Sequence, residues 1–242
     1  MTSAPQSAII IGKGTSILRT TASYIEGFDK IVIANRPVWD GYEKYLPKKA
    51  HIQYRNNSTQ NFSAQEFIDL GIERVVSTAL PPEKLPYEAH HGFVDVEYSK
   101  FQRDPNGTRN LFLEYVIDGV KRKINPSTGI LAFYDIVHSG LFGRISLVGF
   151  DLVMTNERVY YFKPTEMQPN LQYLLDNGTY QREGFLNMKT NDHSVQTTGE
   201  FLYTLMMVNR HIQFEIMTDN TVFRDSLDNL DNVLVLEGEE TK

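Results

Sequence analysis

Asn125-Pro126-Ser127-Thr128-Gly129-Ile130-Leu131-Ala132-Phe133-Tyr134, followed by Ile145-Ser146-Leu147-Val148-Gly149-Phe150-Asp151, points to an α/β fold. The first stretch predicts a turn running into a helix, the second a buried strand. Pro126 favours a turn, and Ser127 or Thr128 can serve as N-cap. Gly129 lets another group come close to the backbone. Ile130, Phe133, Tyr134, Val137 and Leu141 repeat at helical spacing, so one face of the helix is expected to pack on a core. A helix start with free backbone N–H groups suits an anion or a nucleotide.

Further strand-and-loop units flank these stretches. Ala8-Ile9-Ile10-Ile11 reads as a buried parallel strand, ending in the glycine loop Gly12-Lys13-Gly14-Thr15-Ser16 and then a helix carrying Ile17, Leu18, Tyr24 and Ile25. Ile31-Val32-Ile33-Ala34 is a second strand, ending at Asn35-Arg36-Pro37, and His51-Ile52-Gln53-Tyr54 a third, ending at Arg55-Asn56-Asn57-Ser58. Open α/β sheets bind ligands at such strand ends. A helix over 63–70, a strand over 74–77, and a hairpin over 111–124 with a primed turn at Asp118-Gly119 are also expected. The polar stretch from Arg158 onward, broken by Pro164, Pro169, Gly178 and Gly184, reads as a lid over about 155–192. A helix over 197–208 and a strand over 212–216 close the pattern. No internal repeat or linker divides the chain, so the expectation is one α/β domain over 1–242, Rossmann-like, with a mostly parallel sheet.

Composition excludes several classes. With 242 residues, 41% hydrophobic and 22% charged, the chain is globular and can bury a substantial core. A net charge of −6 argues against nucleic acid as a partner, and Lys121-Arg122-Lys123 reads as a solvated hairpin strand. The absence of cysteine removes disulfides, thiolate metal sites and a cysteine nucleophile. No segment reads as a membrane span or a signal peptide, which leads to an expected cytoplasmic location. The 12% aromatic share suits ring stacking but is equally served by core packing.

Familiar nucleotide motifs fail. Gly12-x-Gly14 lacks the third glycine of a dinucleotide fingerprint, since Ile17 stands there, and Asn35 rather than an acid closes the second strand. Lys13 precedes the second glycine, so there is no P-loop. No Asp-x-Asp follows a strand, the histidines lack ligand spacing, and His90-His91 reads as a surface pair; no metal is expected. His193, in Asn191-Asp192-His193-Ser194 just before a helix, is placed where the helix dipole lowers an imidazole pKa, as a general base needs. A capping histidine is the other reading.

Five pieces in order resemble the bacterial sialyltransferases of glycosyltransferase family 42. They are Ile9–Ile17, Phe28–Asn35, Leu46–Ala50 leading to Tyr54 and Asn56-Asn57-Ser58, Ser127–Gly129 through Asp151, and Asn191–Ser194 with Glu200-Phe201-Leu202. Pro126-Ser127-Thr128-Gly129 also looks like the small sialylmotif of family 29. The resemblance spans the chain, with residues 60–120 weakly matched. It implies a GT-A-like sialyltransferase variant that moves sialic acid, with inversion and without a metal or other cofactor, from CMP-sialic acid to a glycan. It further implies a donor site built from Gly12, Lys13, Gly14, Thr15 and Ser16, from Asn35, and from Asn56 or Asn57. Ser127, Thr128 and Gly129 would meet the cytidine and ribose. Tyr160 or Tyr161 would meet the leaving phosphate, and His193 would be the base. Lys13 departs from the family, which usually has Asn there; the cation suits a donor carboxylate or phosphate, or a different CMP-sugar such as CMP-Kdo. A glycosyltransferase using another nucleotide sugar and a degenerate, non-catalytic CMP-sugar or glycan-binding protein are the alternatives. Homo-oligomer formation and peripheral contact with a membrane or lipid-linked glycan stay open.

Overall fold

The computed structural model describes residues 5–55, 62–77, 95–98, 113–124, 126–152 and 195–238. Its centre is an eight-stranded sheet built from β1 (Gln6–Ile11), β2 (Lys30–Ala34), β3 (Ile52–Arg55), β4 (Arg74–Ser77), β5 (Asp95–Tyr98), β8 (Phe142–Val148), β9 (Gln213–Met217) and β10 (Val233–Val235). The order is β10-β9-β8-β1-β2-β3-β4-β5, and every pairing is parallel. The remaining strands, β6 (Leu113–Ile117) and β7 (Val120–Ile124), form a separate antiparallel hairpin. Asp118 and Gly119 both have positive φ (50° and 75°), which is the primed turn expected from Asp-Gly.

The isoleucine run of β1 shows why the strands are buried on both faces. Side chains alternate across a strand, so Ala8 and Ile10 join one core layer while Ile9 and Ile11 join the other. The first layer is covered by α3 (Thr128–His138) and α4 (Val195–Val208), which bring Ile130, Phe133, Phe201 and Leu202 onto Val32, Leu147 and Phe214. The second lies under α1 (Ala22–Glu26) and α2 (Ala64–Leu70), with Ile25, Trp39 and Phe67 against Ile31, Ile33 and Val75. Ile9, Ile10, Phe133 and Phe214 are wholly buried. Truncating any of these to alanine costs on the order of 2–5 kcal/mol.

Two helices differ from expectation. The segment after the glycine loop is a 3-10 turn over Thr15–Arg19 and a separate α1, broken at Thr20 and Thr21, whose backbones are extended. Thr21 starts α1 anew, its hydroxyl accepting from Tyr24 N–H at 3.2 Å. Short β-branched hydroxyl residues compete with the helix in this way. α3 ends at His138, so Leu141 lies beyond it and is 60% exposed rather than on the packed face. The N-cap of α3 is Ser127, whose side chain accepts from Ile130 N–H.

β1 is the point at which the strand order reverses. β2 to β5 extend to one side of it and β8 to β10 to the other. The chain leaving β1 crosses to β2 on one side and the chain leaving β8 to β9 on the other, and such a switch point at the carboxyl edge is where parallel sheets bind ligands.

Candidate functional site at the carboxyl edge

The Gly12–Ser16 loop is stitched to the end of β8. Gly12 N–H donates to the Val148 carbonyl at 2.8 Å and Gly14 N–H to the Gly149 carbonyl at 2.9 Å. A side chain at Gly12 would collide with the Gly149 carbonyl oxygen, and Gly149 itself has φ of +74°. Both glycines are required by close backbone approach. The start of α3 reaches the same place: a Cβ on Gly129 would lie 3.0 Å from the Phe150 ring and 3.7 Å from Ala34 Cβ. The ends of β1, β2 and β8 and the first turn of α3 thus come together at the carboxyl edge, which carries Gly12, Lys13, Gly14, Asn35, Thr128 and Gly129.

The hydroxyls of this loop are turned into the protein. Ser16 is wholly buried; its Oγ donates to the Met217 carbonyl and accepts from Gly149 N–H, both at 3.1 Å. The Thr15 hydroxyl donates to Asp219 Oδ2 at 2.7 Å and lies 3.3 Å from Asp151 Oδ2. The Ser127 hydroxyl caps α3. These three side chains shape the site.

Asp151 and the Thr218–Asn220 turn were absent from the sequence-based site. Asp151 Oδ2 accepts from Ser16 N–H at 2.8 Å, and its Oδ1 accepts from Asp219 N–H at 2.9 Å. Thr218 Oγ1 donates to the Phe150 carbonyl at 3.1 Å, and Arg19 pairs with Asp219 at 3.0 Å. The signal for Asp151 was its place just past a buried strand, the same argument that singled out Asn35.

Asn35 holds a left-handed backbone (φ 60°), and its N–H donates to the Tyr54 carbonyl at 2.6 Å. A non-glycine residue in that region is uncommon and concentrates at functional sites. Next to it, Arg36 stacks on the Phe62 ring at 4.8 Å and pairs with Glu66, which also closes the capping box of α2 with Ser63. Lys13 is half-buried, and that burial pushes its ammonium pKa down to about 8. Asn56, Asn57, Tyr160, Tyr161, His193 and the lid expected over 155–192 lie outside the described residues. Arg55 ends β3, whose Tyr54 pairs with Ala34 of β2, and Gly199 of α4 sits against Leu152 just past Asp151.

A cavity of about 400 Å³ opens elsewhere, at the amino edge, lined by Gln6, Lys30, Glu73, Arg74, Ser139 and others. It is on the far side of the sheet from the glycine loop. Among the described residues no helix is long and apolar enough to cross a membrane, and no three His, Asp or Glu side chains group as metal ligands.

No family model matches the sequence, and no curated protein matches it. Solved structures do. The sialyltransferase CstII from Campylobacter jejuni in complex with the substrate analogue CMP-3FNeuAc is similar at a TM-score of 0.60 and 17% identity, over 94% of this chain and 87% of that one. The monofunctional alpha-2,3-sialyltransferase Cst-I from Campylobacter jejuni gives 0.59 and 16%, over 100% and 87%. Sialyltransferase CST-II in complex with a trisaccharide acceptor and CMP gives 0.54 and 16%, over 98% and 92%. The likeness to sialyltransferases carried by the motifs is therefore matched by the fold across nearly the whole chain.

Proposed function

We propose that this chain is an inverting glycosyltransferase that moves sialic acid, or a related 2-keto sugar acid, from a CMP-sugar to a glycan acceptor without a metal. The observation that carries the reading is the convergence of the Gly12–Ser16 loop, Asn35 and the start of α3 at the carboxyl edge. It sits at the switch point of a fold shared with proteins crystallised with CMP, with a CMP-sugar analogue and with an acceptor.

In this reading the glycine loop, Asn35 and Asn56 or Asn57 hold the nucleotide sugar, and Ser127, Thr128 and Gly129 at the start of α3 meet the cytidine and ribose. Lys13 faces a donor anion. The acceptor oxygen attacks the anomeric carbon as the bond from that carbon to the CMP oxygen breaks, the electron pair leaving with the phosphate. His193 takes the acceptor proton. Tyr160 or Tyr161 donates to the leaving phosphate, so hydroxyl donors do the work a cation would otherwise do. The hydroxyls of Thr15, Ser16 and Ser127, spent on protein partners, act by holding backbone in place.

The test is turnover of CMP-sialic acid, measured as CMP release with and without a glycan acceptor, in the native chain and in His193→Ala. The expected loss in kcat is on the order of 10²–10⁴-fold, the contribution of a positioned base, with CMP affinity unchanged. Near-native turnover in His193→Ala would place the base elsewhere. CMP binding without turnover of any CMP-sugar would favour the non-catalytic alternative.

A further inference from the structure

We infer that Asp151 is a positioning residue for the donor: its carboxylate locks together the loops leaving β1, β8 and β9 and so sets the shape of the proposed donor site. This rests on the nucleotide-sugar reading of the site. The two carboxylate oxygens of Asp151 bond to different loops. Oδ2 accepts from Ser16 N–H (2.8 Å) in the loop after β1, and Oδ1 accepts from Asp219 N–H (2.9 Å) in the loop after β9. Asp151 itself belongs to the loop after β8. The Thr15 hydroxyl lies between Oδ2 (3.3 Å) and Asp219 Oδ2 (2.7 Å), and Arg19 balances the second carboxylate.

Two backbone N–H groups from segments some two hundred residues apart thus converge on one side chain from its two sides. Only a group with two acceptor atoms satisfies both. An asparagine offers one acceptor and one NH₂, so it must turn a donor toward a backbone donor. Gly14 completes the fit, because any Cβ there would overlap Oδ2. The carboxylate is therefore packed as well as bonded, and the loop has little room to settle in a second arrangement. A loop displaced by an ångström loses most of what positioning contributes.

The experiment compares the native chain with Asp151→Asn, using amide hydrogen exchange without ligand and then CMP titration and donor kinetics. Exchange of the 12–17 amides should rise at least about tenfold while β2 amides (30–34) keep their native rates; a purely global loss of stability would move both sets. The CMP Kd and the KM for CMP-sialic acid should rise about 10–100-fold, with the KM for acceptor unchanged. Asp151→Ala, which removes the carboxylate without presenting a donor, carries the same two readouts if the asparagine variant does not fold. Native exchange in the 12–17 loop overturns the lock. A loosened loop with native CMP affinity overturns its role in donor positioning. A native chain that ignores CMP overturns the proposed function and the donor half of this inference, while the exchange result still decides the lock.

Discussion

Lys13 is the residue at which stability and binding pull against each other. Burial lowers its pKa from 10.5 to about 8, so the folded state disfavours the ammonium. Between those two values the unfolded chain binds more protons than the folded one, and stability rises with pH across that window. At pH 7 the charged form is present in both states and the penalty is fully felt, on the order of a few kcal/mol. Lys13→Asn should therefore raise the melting temperature at pH 7, with the gain fading as the pH approaches 10.5. A donor anion against the ammonium restores its pKa, so CMP binding at pH 8–9 should take up a fraction of a proton, read by calorimetry in buffers of different ionisation enthalpy. The same substitution should weaken CMP binding by roughly 1–3 kcal/mol, the range for a charge-assisted hydrogen bond. Binding without proton uptake, together with unchanged affinity in Lys13→Asn, would remove Lys13 from the site.

At the scale of elements, the glycine loop is held by backbone on both sides, and that makes Gly12 the sharpest probe of it. A methyl group there meets the Gly149 carbonyl, and Gly12 N–H is tied to the Val148 carbonyl. Neither neighbour is the end of a flexible side chain, so Gly12→Ala must part β1 from β8 at the carboxyl edge. We expect a loss of about 1–3 kcal/mol by overpacking, seen in chemical denaturation, together with lost CMP binding. Native stability and affinity would mean that the loop gives more freely than its bonds imply. The strands around this loop were legible because fully buried parallel strands are near-continuous apolar runs, as in Ile9-Ile10-Ile11 and Ile31-Val32-Ile33. The start of α3 was legible from Pro126 and Ser127. What the sequence could not show was the direction of the hydroxyls. Ser16 Oγ faces Met217, and Thr15 faces Asp219, some two hundred residues away. Local pattern carries no information about such partners. The same limit hid Asp151 as a bridge, and the Thr20–Thr21 break escaped because the apolar spacing of Ile17, Leu18, Tyr24 and Ile25 continues through it.

At the scale of the whole molecule, the proposed donor site exists only once distant parts of the chain have met. β1 and β8 pair across more than a hundred residues, β9 adds the Thr218–Asn220 turn, and α3 must dock to bring Gly129 to Phe150. The unfolded chain therefore presents no version of the site, and a ligand that binds the folded state alone stabilises it by mass action. At a CMP concentration of about 100 times Kd that amounts to about 2.7 kcal/mol. For a chain of this size each kcal/mol moves the melting temperature by roughly 2–4 °C, so CMP should raise it by roughly 5–10 °C. UDP should leave it unmoved, because the pyrimidine face and the single phosphate are both part of what the site is proposed to hold. EDTA should change neither the CMP shift nor turnover, since in the proposed mechanism the leaving phosphate is met by hydroxyl and ammonium donors. An equal shift with UDP would mean that the site reads a pyrimidine nucleotide without choosing CMP. Loss of the CMP shift in EDTA, regained with Mg²⁺, would place a cation between donor and protein and overturn the metal-free mechanism.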